Sequence, residues 1–162
     1  MQFTSDKGEK TEMRKIALIV LVSLIVAGFA MTTCYAASAK DDAKAMVKKT
    51  AAFLKTAGKE KTLAEISNPK GQFVKGELYI FAIDMNGITL AHGANPKLVG
   101  KNMLDLKDPD GKFFIKEFIS TARKGSGWVD YKWTNPVSKK IEEKTSYIES
   151  AGDFLLAAGV YK

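Results

Sequence analysis

The sequence predicts an α+β domain, a long N-terminal helix packed on a five-stranded antiparallel sheet, and three observations point to it. Residues 39–57 carry apolar side chains at helical spacing. From Leu78 onward the apolar period shortens to two, the period of a strand. Three strand-like segments bounded by turn residues close the chain, with one more helical segment before them. Elements in the order helix, short helix, hairpin, crossing helix and three-strand meander stack as helices on an antiparallel sheet.

The elements follow in chain order, behind a segment of another kind. Residues 16–31, IALIVLVSLIVAGFAM, contain no charge; Arg14 and Lys15 precede them, and Cys34 and Ala36 follow. A basic start, an apolar run and small exit residues form the pattern of a secretory signal peptide. The expectation is a leader and signal peptide over 1–36, cleaved after Ala36, and one domain over 37–162, periplasmic or secreted. The alternative is an uncleaved inner-membrane anchor, although a run of 16 residues is short of the ~20 that a spanning helix needs. Residues 1–12 are polar, and Met13 is the more natural start. Cys34 is the only cysteine and lies in the segment expected to be removed, so the mature domain has no disulfide and no thiol chemistry.

Along 39–57, Ala43, Met46, Val47, Thr50, Phe53 or Leu54, and Ala57 share one face, with Lys44, Lys48, Lys55 and Lys59 largely opposite. Gly58 ends the helix. Thr62 is expected to cap a short helix over 63–67, which Asn68-Pro69-Lys70-Gly71 breaks. Residues 78–83 read as a strand, Asn86-Gly87 as a two-residue hairpin turn, and 88–91 as the returning strand. A loop with Gly93, Pro96 and Gly100 follows, then a turn at Asp108-Pro109-Asp110-Gly111. Residues 112–124 form the second helix, burying Phe114, Ile115, Phe118, Ile119 and Ala122. The closing strands span 128–133, 141–149 and 154–161, separated by turns at 135–138 and 152–153.

In order along the chain, Ile83-Asp84 with Gly87, Leu90-Ala91-His92, Asn95-Pro96, 98–102, Asp108 with Asp110-Gly111, Gly127-Trp128-Val129, Tyr131-Lys132-Trp133, Asn135-Pro136, Lys144 with Tyr147, and Gly159-Val160-Tyr161 form a connected set. The set resembles the single Cache domains, type 2, of bacterial extracytoplasmic sensors, and covers nearly all of the mature chain. The resemblance implies a PAS-like sheet and a small organic ligand, often a short carboxylate such as acetate, propionate, lactate or pyruvate. Family members usually sit between two membrane spans with a chemotaxis or kinase module behind them. This chain ends at Lys162, so the expectation is a stand-alone binding domain whose membrane receptor or kinase comes from another chain. The rival expectation is a ligand-free interaction module docking on a membrane or periplasmic partner.

His92, the only histidine, follows a strand and precedes a glycine, which places it at the pocket mouth as a donor to a carboxylate, charged more often below pH ~6.5. Tyr131 and Trp133 share one sheet face by alternation. A tight connection around 135–140 brings Lys144 opposite Tyr131 on that face. Two aromatics and one cation suit a small carboxylate. Tyr147 joins the set through the resemblance, although its odd separation from Lys144 turns it to the other face unless a bulge intervenes. No metal or cofactor is expected: one histidine gives too few ligands, and Asp108-x-Asp110-Gly lacks the downstream Glu of a calcium loop, leaving a turn and helix N-cap as the role of those aspartates. No nucleophile–base motif or phosphate-cradling loop marks an enzyme. Four of the 25 basic and three of the 18 acidic residues lie in 1–36, which leaves 21 and 15 and a net charge of +6. Scattered lysine of this kind argues against a nucleic-acid partner and mildly favours anions.

Overall fold

Why residues 39–57 form a helix (α1) is visible in what it buries: Ala43, Val47 and Thr50 are fully buried, and Lys44, Lys48, Lys49 and Lys55 are exposed. The computed structural model describes residues 39–162, and these form one compact unit. The signal-peptide and anchor readings of 1–36, with Cys34, fall outside the described residues. Gly58, at φ 84°, closes α1 and donates its N–H to Leu54 O at 3.0 Å.

The next helix, α2, spans Lys59–Ile66, four residues earlier than expected. Thr62 is not its cap. It lies inside, and its hydroxyl donates to Gly58 O at 2.7 Å, the backward bond that threonine makes within a helix. The polar run Lys59-Glu60-Lys61 joins the helix because lysine and glutamate are good helix formers.

Six strands follow: β1 (Val74–Lys75), β2 (Leu78–Asp84), β3 (Thr89–His92), β4 (Ser126–Thr134), β5 (Ile141–Ser150) and β6 (Phe154–Tyr161). Between β3 and β4 lie a 3-10 turn, Pro96–Leu98, and the helix α3, Phe114–Arg123. All pairings are antiparallel, in the order β1-β2-β6-β5-β4, with β3 beside β2. Five of these are the expected strands; β1 adds a sixth, and two residues are too few to show a period.

Helices cover both faces. On one, Ala43 and Val47 of α1 and Ile66 of α2 pack on Ile80, Ala82, Tyr147, Leu156 and Ala158. On the other, Phe114, Ile115, Phe118, Ile119 and Ala122 of α3 pack on Tyr79, Phe81, Val129, Tyr131, Leu155 and Ala157. Alternation along β2 and β6 divides their residues between the two cores.

Two turns differ from expectation. Asp84 N–H donates to Ile88 O at 2.9 Å and Gly87 N–H to Asp84 O at 3.1 Å, which encloses three loop residues instead of two. Gly87 has φ 85° and Asn86 is not left-handed, so the Asn-Gly pair does not form the two-residue turn. The cause is Asp84, whose carboxylate accepts from Asn86 N–H at 2.9 Å and Ile88 N–H at 2.8 Å. Asp108 makes its turn but caps no helix, since α3 starts only at Phe114. Its carboxylate accepts from Asp110 N–H (3.0 Å), Lys112 N–H (2.9 Å) and Lys132 N–H (3.2 Å), tying the loop to β4. Burial alone would raise its pKa; these three donors bring it below the ordinary value.

Candidate functional site

Between the α3 face of the sheet and the β3–α3 loop lies a small cavity. Its floor is Tyr79 and Phe81 of β2 and Tyr131 and Trp133 of β4; Phe114 and Phe118 of α3 wall it, and Leu98 and Met103 roof it. The roof is held by backbone bonds, Thr89 N–H to Lys101 O (3.0 Å), Gly100 N–H to Thr89 O (2.8 Å) and Met103 N–H to Gly87 O (2.8 Å). The void is about 20 Å³, room for about one water.

The floor is a packed aromatic set. Phe114 stacks on Tyr131 at 4.8 Å between centroids and meets Trp133 edge-on at 5.6 Å. Tyr131 is buried, and its hydroxyl lies 3.1 Å from Ser146 Oγ. Burial holds its phenol well above the ordinary pKa.

Lys144 sits directly across from Tyr131 on one side and Tyr161 on the other. It is fully buried, and its Nζ lies 3.9 Å from the centre of the Tyr79 ring and 4.4 Å from that of Tyr161. The amine donates to Tyr161 Oη at 3.3 Å, and that hydroxyl donates to Thr134 O at 2.9 Å. Gly159 makes this placement possible: a Cβ there would lie 2.7 Å from Lys144 Cε and closer still to Ser146 Oγ. Burial pushes the Lys144 pKa well below that of an ordinary lysine, and Glu77, acting through space, offsets part of this.

His92 is 6 % exposed and belongs to the wall rather than the mouth. Its ring lies 4.9 Å from that of Tyr79 and stacks on Phe81 at 5.8 Å. Nδ1 accepts from Asn95 N–H at 3.0 Å, which leaves the proton of the neutral ring on Nε2 as a donor. Burial, and then the nearby Lys144, lower its pKa to about 3. The expectation of a charged ring below pH ~6.5 is therefore corrected: the imidazole stays neutral through the physiological range.

The structure thus brings His92, Tyr131, Trp133 and Lys144 to one face and sends Tyr147 to the other. The β4–β5 register runs without a bulge from Trp128↔Tyr147 to Tyr131↔Lys144, so alternation holds. Tyr147 packs in the α1 core, with the Trp128 ring 5.4 Å away and Lys44 Nζ 5.6 Å away. Sequence reasoning left out Tyr79, Tyr161 and Phe114. Alternation offered a signal for the first two, since Tyr79 shares a strand face with Phe81 and Gly159 shares one with Tyr161. Among the described residues no group of three or more His, Cys, Asp or Glu gathers as a metal site, and no helix is long and apolar enough to cross a membrane. Lys144 does not line this cavity: it lines the neighbouring charged cleft with Tyr131, and its amine meets the cavity floor where it lies against the Tyr79 ring. One amine behind that floor and one imidazole N–H in the wall can hold the oxygens of a small anion and little else polar.

Residues 32–161 match the family model described as Cache domain. Sensor histidine kinase MctS of Rhizobium johnstonii is 38% identical over 85 residues, which is 51% of this chain and 18% of the kinase. The chain thus spans less than a fifth of that relative's length. The crystal structure of a methyl-accepting chemotaxis protein from Vibrio parahaemolyticus superposes with a TM-score of 0.70 at 27% identity, covering 80% of this chain and 92% of that one. A Cache chemosensory domain whose structure describes carboxylic acid recognition gives a TM-score of 0.59 at 26% identity, covering 86% of this chain and 96% of that one. The fold is the PAS-like Cache fold, and the relatives are sensory domains of chemoreceptors and histidine kinases.

Proposed function

The chain belongs to the Cache domain family, and from that premise we propose that its cavity binds a short carboxylate, such as acetate, propionate, lactate or pyruvate, as a sensory input. The observation that carries the reading is Lys144, a buried amine with one protein hydrogen bond beside an aromatic box. Its Nζ is the donor to the carboxylate, the His92 Nε2–H is the second, and Tyr131 and Trp133 hold the apolar body. The role is binding, with no catalytic step.

A ligand of four to six heavy atoms can reach roughly −6 to −9 kcal/mol at the ceiling of about −1.5 kcal/mol per atom. The void of about 20 Å³ holds less than such a ligand. Entry must therefore displace Trp133 or the roof at Leu98 and Met103, which weakens affinity by the cost of that movement. It also gives ligand binding a conformational consequence, which a sensor needs.

The site is extracytoplasmic in this reading. The chain is exported and cut after Ala36, and mass spectrometry of the periplasmic form should read Ala37 as its first residue. The output partner is a membrane receptor or kinase, the kinds of protein in which the relatives carry this domain.

Calorimetric titration with the four acids tests the binding claim. Lys144→Ala should weaken affinity by about 10- to 100-fold, since a hydrogen bond to a charged group contributes about 1.5–3 kcal/mol. Lys139→Ala, in the exposed β4–β5 turn, should leave it unchanged. Equal affinity of wild type and Lys144→Ala would sink the site. The small void favours one second reading, a docking module with a filled core, and a screen in which no acid binds selects it.

A further inference from the structure

The charge of Lys144 depends on what stands beside it. Nζ makes one hydrogen bond among the described residues, at 3.3 Å to Tyr161, whose own proton goes to Thr134 O. The groups facing it are uncharged: Tyr79 from β2, His92 from β3, Tyr131 from β4, Ser146 on its own strand and Tyr161 from β6. On the apolar wall, the charged residues of α3, Lys116, Glu117 and Arg123, are exposed to solvent. Glu77, exposed before β2, acts through space only and already accepts from Asn135 Nδ2 at 2.9 Å. Lys144 itself lines the cleft behind Tyr131, and the charges there pair among themselves: Asp110 with Lys132 at 2.8 Å, Asp130 with Lys162 at 3.4 Å and Glu143 with Lys162 at 4.0 Å.

An ammonium at this position gives up its hydration and gains no contacting anion. Two tyrosine faces compensate for part of that loss, but an anion compensates for far more. In the free protein the amine is therefore held toward its neutral form, in the same direction as its lowered pKa.

We propose that the site takes up its carboxylate together with one proton, which Lys144 captures from solvent as the anion enters. The step balances as Lys–NH2 + H+ + RCOO− giving Lys–NH3+ paired with −OOCR. This rests on the carboxylate reading above and adds its thermodynamics: the species taken up has the composition of the undissociated acid. The sign follows. The complex holds more protons than the free protein, so affinity falls as pH rises, approaching about tenfold per unit between the free and bound pKa values of Lys144.

The test is calorimetry of the purified protein with acetate, propionate, lactate and pyruvate near pH 7.5, in phosphate and in Tris, whose ionisation enthalpies differ widely. The enthalpies should differ by an amount that corresponds to uptake of about one proton. NMR of 13C-labelled lysine, with the Lys144 signal assigned by its loss in Lys144→Gln, should show an amine in the free protein and an ammonium at saturation. Binding with equal enthalpy in both buffers, or a Lys144 already charged in the free protein, overturns proton uptake and leaves the carboxylate site standing. If none of the four acids binds at millimolar concentration, the site and the proton uptake fall together.

Discussion

Lys144 occupies a position where a methionine would be more stable. Its stem packs over Gly159, between Ser146 and the tyrosine rings, while its amine is left with a single hydrogen bond. Lys144→Met keeps the volume and removes the desolvation cost, so it should leave stability unchanged or raise it by about 1–2 kcal/mol while abolishing ligand binding. Denaturant unfolding beside calorimetry checks both halves; a variant less stable by several kcal/mol would mean that the amine holds the fold together. His92 gives a second residue-scale prediction with a defined sign. Its folded pKa of about 3 lies below the unfolded value of about 6.5. The unfolded chain therefore binds the extra proton, and stability present above pH ~6.5 is lost as pH falls toward 3, by a few kcal/mol at about 1.4 kcal/mol per unit. His92→Asn should flatten that part of the profile in urea titrations at stepped pH. An unchanged slope would mean that the imidazole is not buried as described.

At the scale of elements, β4, β5 and β6 do the positioning, and their alternation was readable in advance. Parity puts Tyr131 and Trp133 on one face, a tight connection around 135–140 adds Lys144 opposite Tyr131, and parity argues against Tyr147, which enters only through the family resemblance. What parity could not show is depth. Nothing in Lys144 as a residue type says that its stem lies under two tyrosine rings, because that depends on Gly159 one strand away lacking a Cβ. The aromatic wall was legible only as a helix face, since Phe114 and Phe118 read as core and their meeting with Tyr131 is a tertiary fact. Local side-chain bonds also escaped the reading. Asp84 reshaped the Asn86-Gly87 turn, and Asp108 tied the loop to β4 instead of capping α3. Gly159→Ala should destabilise by about 1–3 kcal/mol through overpacking and should displace the amine, lowering affinity as much as Lys144→Ala does. Thermal unfolding and calorimetry would contradict this if the variant bound normally.

For the whole molecule, two cores on opposite faces of one sheet assign different work to each. The α1–α2 core holds Tyr147, Phe154 and Leu156, while the α3 face carries the void. A ligand that binds the folded form alone stabilises it by about 2.7 kcal/mol at one hundred times its dissociation constant. For a domain of this size that corresponds to a melting shift of roughly 10 °C. Differential scanning with short acids should show that rise in wild type and none in Lys144→Met, while equal shifts in both would move the ligand elsewhere. Where the carboxylate sits is read from a crystal structure of the protein with the acid that gives the largest shift. The expected structure has a carboxylate oxygen about 2.8 Å from Lys144 Nζ, with the ligand's apolar end against Tyr131 and Trp133 and the Leu98–Met103 roof or Trp133 displaced. An acid bound away from Lys144, or a cavity unchanged in a protein that the acid stabilises, would contradict it.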